Sequence, residues 1–94
     1  MYPYIVLSDE TEITYSHIIE RNGQKEVEVH FERPVEEGFN VARCVLPIYE
    51  WVRKDGFSDA EILRFEELLQ CNAHLFFRYA EEGGIKMEKA FCAG

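Results

Sequence analysis

The chain has 94 residues, with 18 Asp or Glu against 10 Lys or Arg, for a formal net charge of −8. That length allows one domain, residues 1–94, with one modest core, and a 47% hydrophobic, 14% aromatic composition belongs to a folded chain rather than a disordered one. The charge repels phosphate backbones and anionic lipid, so no nucleic acid and no membrane are expected as partners; a basic protein, or a second copy, is easier to accommodate.

The elements follow in chain order. Tyr4 to Leu7 is a short apolar run, closed by the turn-like Ser8-Asp9-Glu10-Thr11. Ile13, Tyr15, His17 and Ile19 then alternate with Thr14, Ser16 and Ile18. After Asn22-Gly23, Val27, Val29 and Phe31 alternate with Glu26, Glu28, His30 and Glu32, the clearest strand signal in the chain.

The hairpin between these two runs has a choice of register. A two-residue Asn22-Gly23 loop pairs Ile18 with Val27 and Ser16 with Val29, which turns Ile13 and Tyr15 onto the glutamate face. A three-residue loop, Arg21-Asn22-Gly23 with a left-handed Gly23, pairs Tyr15 with Val29 and Ile13 with Phe31. Because one residue of slip flips a whole face, the second register is the one that unites the apolar sets.

Pro34 ends that strand, and Phe39 to Leu46 reads as a fourth. Pro47 suits a first helical position, and residues 47–55 allow a short helix stopped at Gly56. Phe57-Ser58-Asp59-Ala60-Glu61-Ile62 opens a long helix: Ser58 caps it, Glu61 reaches back, and Phe57 with Ile62 form a hydrophobic staple. It runs from about Asp59 to Glu82, roughly 36 Å, to a stop at Gly83-Gly84. At 100° per residue, Ile62, Phe65, Leu69, Ala73, Phe76 and Ala80 form one stripe, widened by Leu68, Leu75 and Tyr79. The tail from Ile85 to Gly94 alternates weakly and is consistent with a last strand or a frayed end. The expected fold is α+β: an antiparallel meander of about four strands packed on one long C-terminal helix.

Four groups of residues invite a functional reading. Asn72 intrudes on the apolar stripe as a buried polar group, whose amide needs partners in the sheet backbone or at Tyr79. Leu63 and Phe77 lie opposite the stripe, with Gln70 between them and His74 close by. That line is a candidate partner-binding seam, most simply a homodimer contact. Cys71 and His74, at i and i+3, share a helix face, with His17, His30 or Cys44 as completing ligands. A structural zinc site normally needs a second local ligand pair, which the chain lacks, so no metal and no cofactor are expected. Glu26, Glu28, His30 and Glu32 crowd one strand face, where water screens them, and general acid–base work needs a pocket.

No catalytic residue emerges. The glycines are too scattered for a phosphate-cradling loop, and no serine stands in a nucleophile elbow. The outline 48–54, Gly56-Phe57-Ser58, helix resembles a helix-turn-helix, but Asp59 and Glu61 at the helix entry repel phosphate. Cys44, Cys71 and Cys92 are odd in number and widely spaced, and Met1-Tyr2-Pro3-Tyr4 lacks a secretory pattern. The expectation is therefore a cytoplasmic protein with reduced thiols. The sequence points to a small acidic domain that acts by binding protein, as a regulatory or antitoxin-like partner of a basic protein. The competing class is a small enzyme or metal protein using its His and Cys residues.

Overall fold

The structure, a computed structural model, describes residues 2–82. Six strands precede one helix: β1 (Tyr2–Val6), β2 (Glu12–Tyr15), β3 (Ile19–Arg21), β4 (Gln24–Val35), β5 (Gly38–Leu46), β6 (Glu50–Asp55) and α1 (Asp59–Glu82). All pairings are antiparallel in the order β1-β2-β4-β5-β6, with β3 also on β4. The α+β architecture is the expected one. The sheet is larger than four strands because 50–55 adds an edge along β5 and the second apolar run divides into β2 and β3.

Alternation decides which face meets the helix. Ile13, Tyr15, Val27, Val29, Phe31, Ala42, Cys44 and Leu46 are all fully buried on one face. Against them α1 lays Ile62, Phe65, Leu68, Leu69, Leu75, Phe76, Tyr79 and Ala80. Phe31 stacks on Phe65 with ring centroids 4.3 Å apart and an interplanar angle of 12°. Burying Leu69 or Phe76 completely stabilises the fold by about 1.5–3 kcal/mol each. The capping box is formed: the Ser58 backbone N–H donates to Glu61 Oε1 at 3.0 Å, and the Glu61 N–H to Ser58 Oγ at 3.2 Å. The expected stop at Gly83-Gly84 and the tail both lie outside the described residues.

The β2–β4 register is the expected one, with Ile13 opposite Phe31 and Tyr15 opposite Val29. The way the chain reaches it is different. Arg21 pairs with Gln24, so the loop has two residues, and Asn22 (φ 51°) and Gly23 (φ 79°) are both left-handed, as a type I′ turn requires. Near the turn β3 holds the register that loop dictates, Ile19 opposite Glu26. The extra residue is absorbed at 16–18 instead. There the Glu28 N–H donates to Ser16 Oγ at 3.0 Å, and the Ser16 N–H donates to the Glu28 carbonyl at 2.9 Å. A bulge at this point lets a favourable turn and an apolar inner face coexist.

Two further expectations are corrected. Residues 47–55 contain no helix: Leu46-Pro47 is a cis peptide, Tyr49 has φ 57°, and the chain returns as β6 along β5. A strand here satisfies the β5 edge and drives Trp51 inward, where it meets Phe31 at 5.7 Å and donates Nε1–H to Glu66 Oε1 at 2.7 Å. Pro34 does not end β4, which continues to Val35 and pairs Pro34 with Phe39. The two-residue loop makes Val35 and Gly38 the closing hydrogen-bonded pair, so a donor at position 34 would point to the other side. There β2 has already ended at Glu12 opposite Glu32, and the missing N–H costs nothing.

Candidate functional site

The outer side of α1 carries the expected seam residues unequally. Leu63 is 60% exposed. Gln70 and His74 are exposed, whereas Phe77 is half-buried and packs against the core beside Ala73. The helix rotates Phe77 toward the flank of the sheet, so Leu63 is the only strongly exposed apolar group of the four.

Asn72 is 1% exposed, and both ends of its amide have a partner. It accepts from Tyr4 Oη–H at Oδ1 (2.8 Å) and donates Nδ2–H to the Leu68 carbonyl (2.8 Å). The partners are thus an edge strand and the helix itself, not Tyr79. Tyr4 belongs to an aromatic group with Tyr2, Tyr15, Phe76 and Tyr79. Burial pushes the Tyr4 and Tyr15 phenols up to about 12, which keeps them neutral. The group fastens β1 to α1.

The His and Cys residues are not brought together. Among the described residues no group of three or more His, Cys, Asp or Glu side chains stands ready to hold a metal ion. Cys44 lies on the inner face of β5, and burial, with Glu66 nearby, pushes its thiol up to about 12. A neutral, buried thiol is a poor nucleophile. Cys71 is disulfide-bonded, unlike the reduced thiol expected there. His17 and His74 are exposed on the bulge and the helix.

One cleft, of about 340 Å³, lies where the β1–β2 turn meets the start of α1; Leu7, Phe65 and Leu68 floor it, with Ser8, Asp9, Glu61 and Arg64 around them. Beside it Arg33 bridges Asp9 Oδ2 (3.2 Å) and Glu61 Oε2, and its guanidinium lies 4.9 Å from the Phe57 ring centroid. Arg33 and Ser58 hold the Glu61 carboxyl below the usual carboxylate range. Both acids of the cleft are therefore spent on clamping the turn to the helix cap. The sequence does carry a signal for this: Arg33 follows Val27, Val29 and Phe31 on the inward parity of β4, where a charge needs a partner.

No family model matches this chain, and neither does any curated protein or solved structure. No helix among the described residues is long and apolar enough to cross a membrane.

The face of the sheet away from α1 has no layer over it among the described residues. The register sorts its charges into rows. His30, Arg43 and Arg53 share one row across β4, β5 and β6, and Glu12, Glu32, Val41 and Asp55 share the next. The side chains of the first row turn away from the middle of the acidic row. His30 Nε2 lies 2.7 Å and Arg43 Nη1 3.3 Å from Glu28 Oε1, and Arg53 pairs with Asp55 at 2.9 Å.

Proposed function

We propose that this protein works by binding a basic protein partner, in the manner of a small regulatory or antitoxin-like subunit, and carries out no chemistry of its own. The observation that carries this reading is the distribution of charge. Arg21, Lys25, Arg33, Arg43, Arg53 and Arg78 are tied into ion pairs within the chain. Glu12, Glu32, Glu36 and Glu37 enter no ion pair among the described residues. The chain's excess negative charge is thus presented outward, not cancelled locally, and such a field draws in and orients a basic partner.

The proposed compartment is the cytoplasm, where the bond at Cys71 would be opened; three thiols, from the three cysteines of the chain, would then react in protein quenched inside cells. Self-association along the outer side of α1 is the other binding mode to separate. Light scattering of wild type beside Leu63→Glu does so, since Leu63 can be changed without disturbing the core. A monomeric wild type at high micromolar concentration removes it.

The main test is retention of partners on the immobilised protein. A basic protein held at low salt and shed at high salt is the expected result. If nothing is retained at any salt, the reading fails.

A further inference from the structure

Like charges placed directly opposite on paired strands are destabilising. Glu12 and Glu32 are opposite each other on β2 and β4, both are exposed, and neither has a cation among the described residues. Apart from the neighbouring row of His30, Arg43 and Arg53, the strand partners beside them on this face are apolar. On the same face, Val6 of β1 pairs beside Glu12, and Val41 of β5 beside Glu32. One step further along β4 and β5, Pro34 pairs with Phe39. Val6 and Phe39 are each 63% exposed. The result is a carboxylate pair with no ion-pair partner among the described residues, framed by exposed Val6 and Phe39 and half-buried Val41, at the β4–β5 hairpin end of the sheet face that no described residue covers.

We infer that this patch, Glu12 and Glu32 framed by Val6, Val41 and Phe39, is the docking surface for a segment of a basic protein that presents lysine or arginine between apolar residues. The inference rests on the basic-partner reading and adds where the partner lands. The cationic side chain meets the two carboxylates, and its apolar neighbours cover Phe39 and Val6. Among the described residues a bare metal ion would find only two carboxylates here and no third His, Cys, Asp or Glu ligand. A second copy of the same patch would bring four carboxylates together. Docking is face-on, because the outer strands discourage strand addition: β1 carries Pro3 and a bulge before Ile5, and β6 carries Arg53 and Lys54 beside an irregular register.

The test uses the whole chain and a short synthetic peptide alternating lysine with leucine, with a glutamate–leucine peptide as control. Backbone amide shifts locate binding, and titration gives the dissociation constant. The expected result is that shifts concentrate on β2, the far half of β4 and the start of β5, and that binding weakens with added salt. Glu12→Gln with Glu32→Gln, and separately Phe39→Ser, should each weaken binding about tenfold, whereas Leu63→Ser leaves it unchanged. The double glutamine variant should also melt no lower than wild type, because it relieves a repulsion that folding does not need. Lysine–leucine binding that maps to α1 or the cleft, or that survives both sets of changes, overturns the assignment while leaving the basic-partner reading intact. Absence of binding, or equal binding of the glutamate–leucine control, overturns both.

Discussion

Arg33 occupies a position that strand alternation reserves for an apolar side chain, and it is tolerated because Asp9, Glu61 and the Phe57 ring surround its guanidinium. The Glu61 carboxyl is lowered by Arg33 first and Ser58 second, so folding binds fewer protons than unfolding does. A carboxyl with a depressed folded pKa contributes stability that is present above the unfolded pKa and is lost as pH falls through the folded one. Urea midpoints measured from about pH 6 down to about pH 2 should therefore fall less steeply for Glu61→Gln than for wild type. Identical acid limbs would show that the clamp contributes nothing. Asn72 offers a second test. Asn72→Leu leaves the Tyr4 hydroxyl without its acceptor and should cost about 1–3 kcal/mol. Adding Tyr4→Phe to it should restore part of that loss in a double-mutant cycle, whereas strictly additive losses would mean the two groups are not coupled.

The bulge between β2 and β3 shows how far local patterns carry and where they stop. Alternation in 13–19 and 27–31 was enough to choose the register that pairs Ile13 with Phe31, because burial penalises the other choice along the whole strand. It could not say where the extra residue would go, since a loop glycine and a mid-strand bulge give the same inner face. Ser16 settles the matter through hydrogen bonds that no periodicity encodes. Ser16→Ala leaves the Glu28 N–H without its acceptor and should destabilise by about 1–3 kcal/mol, read as a lower denaturation midpoint at unchanged slope. A midpoint equal to wild type would mean the bulge holds without its hydroxyl. The same limit explains residues 47–55. Pro47 followed by mixed polar and apolar residues suits a helix locally, but the open edge of β5 and the inward pull on Trp51 are long-range demands. The long helix, by contrast, was readable from cap to stripe because its signals are all within the element. Gly56 is readable as a stop, but not the reason for it: at φ 91°, a Cβ would lie 2.1 Å from Asn40 Oδ1, a close approach of the turn after β6 to a β5 side chain.

Taken whole, the molecule joins a well-specified core to an under-compensated surface, and the second property has a measurable consequence. Among the described residues, the core packs one helix on one face of a six-stranded sheet, and the other face carries segregated charge with no layer over it. The ion pairs within the chain are mostly exposed at one or both partners, and exposed pairs contribute little. A net charge of −8 on 94 residues repels itself over the whole surface, and compaction raises that energy. Salt therefore has two opposed actions: it weakens the favourable pairs by a small amount and relieves the repulsion by a larger one. The balance predicts that the melting temperature rises as sodium chloride goes from about 20 mM to about 300 mM, through the range in which the screening length shrinks below the size of the domain. Glu12→Gln with Glu32→Gln removes one local source of the repulsion and should flatten that rise. A melting temperature that falls with salt would mean that the internal pairs outweigh the self-repulsion, and with it the argument that this surface holds its charge for a partner would lose its energetic basis.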